Sequence, residues 1–427
     1  MTQPEKSRRS LHVLLPTLGS AGDVNPVVAL GLALQKRGHR ATLITNELFG
    51  DYARSLGLGF IALGTAADAT EIIADPRLWH PTRGFECVAE RVIVPSIAPL
   101  YDIIERHMES GTVVAASGMC FGARVAQEKL GVPLATVHLQ PTMLRSVVDF
   151  GRYGVIPMGP RMPRAVKSSL FWLLDHLIID RAIIPELNAL RARLGLRRVR
   201  RVFDEHVHSP ELVLGLFPEW FAPPQNDWPA NTRLAGFVLH DASETVEVPA
   251  ALEEFLDAGP PPVVFTPGSA AATLHKFFAE SVEACHIAGL RGLLVTDHPA
   301  QLPKNLPPGV RAFPYVPFSR ILPRCAAIVY HGGIGTLAQA IYARIPHMVV
   351  PNSYDQPDNA LRIERLGLGV CIFPRQYKAR LVAIKLRELI DSEKIRERCR
   401  DIALTIDTEA ALERACDLIE QLPRHAT

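Results

Sequence analysis

Short apolar runs alternate with helix-patterned stretches along most of this chain, and that alternation restricts the fold more than any other feature. Residues 11–16, 41–45, 113–116 and 134–138 are such runs in the first half. Residues 263–266, 293–296, 310–313, 326–330, 347–350 and 370–372 follow in the second. Runs this short, apolar on both faces, are the mark of parallel strands covered by helices. Asn25-Pro26 reads as an N-cap followed by a first-turn proline, opening a helix that reaches Lys36 and stops at Gly38. Residues 122–130 read as the helix between two later strands. The pattern predicts an α/β chain of doubly wound parallel sheets.

A chain of 427 residues exceeds one ordinary core, so two domains of about 200 residues each are expected. The expected division is 1–235, 236–405, and a final segment 406–427 that packs back toward the first domain. Residues 140–210 interrupt the alternation with prolines 141, 157, 160 and 163, then helices over 165–184 and 185–194. An insertion over the carboxyl ends of strands builds a substrate wall. Residues 218–235 are proline-rich and read as irregular chain approaching the boundary. Residues 379–391 and 395–422 read as closing helices.

Bulk properties exclude several classes. A net charge of +2 gives no global reason to bind nucleic acid. Seven scattered cysteines with no CxxC argue against a disulfide framework or a zinc site and for a reducing compartment. The basic start MTQPEKSRRS precedes an apolar run broken by Pro16 and Gly19, too short for a signal peptide. No apolar stretch reaches the roughly 18 residues that span a bilayer. A cytoplasmic protein, with peripheral membrane contact, is expected.

The chemistry concentrates in two stretches of the second half. HGGIGT at 331–336 lies where an apolar run gives way to a helical pattern. Bare backbone N–H groups at such a helix N-terminus bind anions, and the glycines admit a diphosphate closely. Gly268 and Ser269 follow another strand at the same presumed switch point. PNSYDQPDNA at 351–360 then offers a carboxylate and an amide, Asp355 and Gln356, to hydroxyl groups, and Asn359 can brace the loop through side-chain to backbone bonds. Phosphate beside hydroxyls suggests a nucleotide sugar. Taken singly, the first stretch is also a plain tight turn and the second an N-capping acid.

HGGIGT, Pro346 and DQPDNA together resemble the donor signature of glycosyltransferase family 1, whose GT-B fold sets two Rossmann-like parallel-sheet domains facing across a cleft. GSAGDVNP at 19–26 resembles the acceptor-side loop of that superfamily. DPRLWHPTRGF at 75–85, LFPEWFAPPQNDWP at 216–229 and VFTPGS at 264–269 are most similar to the rhamnosyltransferases of rhamnolipid biosynthesis.

The resemblance implies roles residue by residue. Ser269, His331, Gly333, Gly335 and Thr336 would hold the diphosphate, and Asp355 and Gln356 the sugar. Gln339 stands where many relatives carry a ribose-binding glutamate. Tyr315 would stack on the nucleobase and the Val316 backbone read its edge, with core packing as the other reading for Tyr315. Asp23 would act as general base, with Ser117 where other members have a supporting acid. Helix capping is the alternative reading for Asp23. The implied reaction is a single inverting displacement. No Asp-x-Asp pattern stands near the phosphate residues, so neither metal nor cofactor is called for beyond the co-substrate, dTDP-rhamnose or UDP-glucose.

Ser20, His138, Phe171 and Trp172 are the acceptor-side candidates. The apolar and basic residues of 140–184 suit a hydrophobic or lipid acceptor, such as a hydroxyalkanoyloxyalkanoate, and a partner enzyme that supplies it. A plain core-facing helix beside a solvated basic face is the other reading. The resemblance also admits glucosyl transfer to sterols, macrolides or phenols. An epimerase of the same architecture and a non-catalytic activator are the remaining readings. Arg344 occupies a helix-end position where relatives usually carry glycine.

Overall fold

The structure is a computed structural model that describes residues 10–80, 83–149, 151–152, 162–241, 246–268 and 275–422. It contains two wholly parallel sheets. The first is built from β1 (His12–Pro16), β2 (Arg40–Thr45), β3 (Gly59–Ala62), β4 (Thr112–Ser117), β5 (Leu134–His138), β6 (Leu212–Gly215) and β7 (Thr232–Leu234), in the order β3-β2-β1-β4-β5-β6-β7. The second comprises β8 (Val263–Thr266), β9 (Gly292–Val295), β10 (Val310–Phe313), β11 (Ala327–Tyr330), β12 (His347–Val349) and β13 (Gly369–Cys371), in the order β10-β9-β8-β11-β12-β13. Strand order reverses between β1 and β4 and between β8 and β11, the crevices where such sheets bind ligands.

All ten expected strands are present, displaced by at most a residue or so. β3, β6 and β7 were not anticipated. β7 corrects the reading of 218–235 as wholly irregular: three residues at a sheet edge carry no periodic signal, yet they pair with β6. The first helix also differs from expectation. It spans Ala21–Lys36 with Ser20 as its N-cap, so Asn25 is not the cap and Pro26 lies inside. Proline there removes only the bond to the Gly22 carbonyl, a tolerable loss this close to the N-terminus.

The two helices expected over 165–194 are one continuous run. Arg164–Leu174 passes through a π-helical turn, Asp175–Ile179, into Asp180–Arg193, which absorbs Pro185. The closing helix divides into Glu393–Ala403 and Thr408–Gln421, the latter capped by the Asp407 side chain on the Ala410 N–H. This last helix packs on Ala21–Lys36 of the first sheet's layer. Arg37 reaches Asp417 at 2.6 Å and Glu420 at 3.0 Å.

One apolar cluster runs continuously through the helix layers of both sheets. Leu216, Phe217, Phe221, Ala222 and Trp228 belong to it, which gives the proline-rich segment 216–229 a packing role between the two halves.

Candidate functional site

Burial builds the centre of the second sheet's crevice. The register sets Tyr330 opposite Thr266 and Val349, so the loops after β8, β11 and β12 emerge side by side. The His331 ring lies between bare backbones. A Cβ on Gly268 would come within 2.8 Å of its Cε1, and one on Gly333 within 2.4 Å of its Nε2. Gly268 and Gly332 both hold a φ of +95°, open to glycine at no steric cost. Burial lowers the His331 pKa to about 4, so the ring is neutral at pH 7 and offers one N–H. Its Nδ1 is buried without a protein partner.

Helix Ile334–Tyr342 starts at Gly333 with no side-chain cap. Its first N–H groups, including those of Gly335 and Thr336, are therefore presented to the crevice. Gln339, one helical turn further on, is buried with Oε1 unpartnered. Tyr315 is 43% exposed and Val316 is buried, which removes the core-packing reading of Tyr315. Ser269 lies outside the described residues.

The sugar-side pair is braced from below. Asp355 Oδ2 accepts the Asn359 amide at 2.6 Å, and the same amide nitrogen reaches the Gly332 carbonyl at 2.9 Å, tying the two loops together. Gln356 differs from expectation. Its Oε1 accepts the Asn352 and Ser353 N–H groups at 2.8 and 3.2 Å, so only its Nε2 remains for a ligand. Burial, reinforced by the negative charge of Asp23, raises the Asp355 pKa to about 7.

Asp23 comes from the opposite sheet. It occupies the first turn of Ala21–Lys36 and accepts the Ser20 N–H at 2.9 Å and hydroxyl at 3.3 Å, both on Oδ2. Oδ1 is then the oxygen available to another hydroxyl. Burial raises its pKa and the Ser20 bonds work against that rise. Asp23 thus completes a capping box and also faces the cleft, so its two readings coexist. Gly22 meets Gly335 closely: a Cβ on Gly335 would lie 3.5 Å from the Gly22 Cα. Ser117, by contrast, pairs with Cys120 Sγ at 3.2 Å.

Of the acceptor-side candidates, Phe171 and Trp172 turn opposite ways. His138 is buried, shares a 3.1 Å hydrogen bond with His208, and is held well below its ordinary pKa by burial. Phe171 faces inward under the Arg145 guanidinium at 5.1 Å, whereas Trp172 is exposed and stacked on His176. The expectation that these two share a surface is corrected. Adjacent helix positions lie about 100° apart.

Several residues at the domain junction were not anticipated. Asp358, fully buried, accepts the Arg152 N–H at 3.1 Å and Arg362 Nε at 2.8 Å. Arg362 continues to Asp149 at 3.2 Å and to the Phe221 carbonyl at 3.0 Å. Tyr354, at φ +59°, donates to the Leu78 carbonyl and meets Trp79 edge-on at 5.7 Å. Ser353 donates to the Trp79 carbonyl at 3.2 Å. The loop carrying Asp355 is therefore anchored on the first domain from both sides. The i,i+4 spacing of Asp358 and Arg362 was visible in the sequence, but the partners, some 210 residues away, were not.

Two parallel-sheet domains with loops converging on a shared cleft define the GT-B architecture, and comparison with known proteins agrees. Residues 13–148 match the glycosyltransferase family 28 N-terminal domain, and residues 292–414 match the erythromycin biosynthesis protein CIII-like C-terminal domain. O-mycaminosyltylonolide 6-deoxyallosyltransferase of Streptomyces fradiae is 28% identical over 96% of this chain and 97% of that protein. A sterol 3-beta-glucosyltransferase of Pichia angusta is 25% identical over 96% of this chain but 33% of its own length. Among solved structures, the glycotransferase of kitacinnamycin superposes with a TM-score of 0.74 at 20% identity, over 97% of this chain and 100% of that one. Spinosyn rhamnosyltransferase SpnG complexed with thymidine diphosphate gives 0.67 at 18%, over 95% and 100%. The chain has the GT-B glycosyltransferase fold, and sugar transfer from a nucleotide sugar is the class of activity these matches support.

Proposed function

We propose that the protein is an inverting, metal-independent glycosyltransferase that moves L-rhamnose from dTDP-rhamnose to a hydroxyl of a lipid-like acceptor such as a hydroxyalkanoyloxyalkanoate. The observation that carries the transferase part is the meeting of two carboxylates from opposite domains. Asp23 lies close enough to Asp355 for its charge to help raise the Asp355 pKa to about 7, and Gly22 touches the turn that opens the diphosphate helix. In this reading Asp23 Oδ1 takes the proton of the acceptor hydroxyl. The freed oxygen attacks the anomeric carbon as the diphosphate leaves from the opposite face. Desolvation lifts a carboxylate toward the basicity this step needs. The departing charge meets His331 and the uncapped N-terminus at Ile334. Asp355 and the Gln356 amide hold sugar hydroxyls, and Gln339 Oε1, lacking a protein partner, accepts a ribose hydroxyl.

The rhamnosyl and lipid assignments rest on the segments at 75–85, 216–229 and 264–269. The sterol 3-beta-glucosyltransferase relative favours a second reading, UDP-glucose-dependent transfer to a sterol, macrolide or phenol. A panel of dTDP-rhamnose and UDP-glucose against a hydroxyalkanoyl lipid, a sterol and a phenol separates the two. Transfer to the lipid from dTDP-rhamnose, unchanged by EDTA, is expected. Asp23→Ala lowers its rate by about 100-fold or more, the usual weight of a general base. Transfer from UDP-glucose alone overturns the donor assignment, and full activity in Asp23→Ala overturns the base.

A further inference from the structure

We propose that the outer face of the helical run beginning at Arg164 docks the protein on an anionic lipid surface. The run has one buried side, with Lys167, Phe171, Asp175 and Ile179 all turned inward at four-residue spacing. On the other side Val166, Trp172, Leu173 and Leu177 are 41%, 51%, 45% and 50% exposed. A helix on a water-facing surface carries charge at such positions; an apolar outer stripe marks an interaction site.

The charges beside the stripe select the partner. Arg164 and Arg181 flank it and are exposed. The acids of the run are withdrawn: Asp175 is buried between Arg145 at 2.6 Å and Arg201 at 3.0 Å, and Asp180 is buried beside Arg201. The first exposed acid of the run is Glu186, beyond the stripe. Exposed Arg193, Arg197, Arg198 and Arg200 follow. Apolar side chains with a tryptophan, rimmed by arginine and with no exposed acid among them, match a bilayer interface carrying anionic headgroups. No helix among the described residues is long and apolar enough to cross a membrane, so the contact lies in the interface plane.

The purpose of such docking rests on the lipid-acceptor reading above, but the binding itself does not.

Sedimentation of the full chain with vesicles, without donor or acceptor, tests it. Wild type is expected to sediment with vesicles containing phosphatidylglycerol and not with pure phosphatidylcholine. Leu173→Ser with Leu177→Ser should weaken that partition at least ~10-fold, and Arg181→Glu about 5-fold, an effect lost at high salt. Both variants should keep the wild-type melting temperature, since they alter exposed positions only. Failure of wild type to bind anionic vesicles, or equal binding by the double variant, overturns the proposal. So does a wild-type dimer that the double variant converts to monomer, which would make the face a self-association surface. Vesicle binding without any transfer to a lipid would sink the acceptor reading and leave the docking face standing.

Discussion

Asp355 shows how much a single residue owes to its surroundings. Its carboxyl is an ordinary acid in the unfolded chain. In the fold, burial and the charge of Asp23 hold its pKa near 7. Folded protein therefore binds the proton between roughly pH 4 and 7 while unfolded chain has released it. The sign follows: the group's destabilising contribution is absent below its unfolded pKa, grows as pH rises, and levels off above about 7. Asp355→Asn keeps an acceptor for Asn359 and removes the ionisation. Its melting temperature should match wild type near pH 4 and exceed it by about 3 °C or more at pH 8, as read by calorimetry at both pH values. An equal difference at the two pH values would mean that the carboxylate is not destabilised. The residue types at 23, 331, 355 and 356 were legible as chemistry in the sequence. That Gln356 holds its own loop through Oε1 was not, because the glutamine is the same letter whichever way its amide is turned.

At the scale of elements, caps and turns decide where helices begin and end. Ser20 and Asp23 start the first helix five residues earlier than the Asn25-Pro26 signal suggested. Proline in a first or second turn is compatible with either start, and the reciprocal Ser20–Asp23 bonds favour the earlier one. At the other end of the donor helix, Arg344 holds a φ of +65°, so the left-handed turn is retained without glycine. Among the described residues its exposed side chain forms no contact that explains the choice. Arg344→Gly relieves about 1 kcal/mol of backbone strain and returns part of it as chain entropy. A net stabilisation of about 0.5 kcal/mol by urea unfolding is expected, and a loss of stability would show that the arginine has a bonding role. Most strands buried on both faces were readable because each is a bare apolar run, although β6 was missed despite being buried throughout; β3 and β7, at the sheet's edges, are short and partly exposed and carry no such signature.

The whole molecule is joined where Arg362 bridges Asp358, Asp149 and the Phe221 carbonyl, with Tyr354 on Leu78 as a second tie. Removing the guanidinium leaves the fully buried Asp358 carboxylate without a cation, while Asp149 keeps Arg365. Arg362→Met should therefore cost about 3 kcal/mol and divide a single calorimetric transition into two, as the domains melt apart. Arg362→Lys should restore little, since a point charge cannot serve three acceptors set around a planar fork. A single, unshifted transition in Arg362→Met would show that the bridge does not couple the domains. The sequence by itself determined the two parallel sheets, the glycine turns at their switch points and the residue types of the cleft. Those depend on local periodicity and on backbone freedom, which neighbouring residues carry. Only the tertiary structure decided that Asp23 faces Asp355, that Phe171 and Trp172 point apart, and that the donor loop rests on the first domain. Each of those depends on burial and charge between segments far apart in the chain, and no local pattern records such distances.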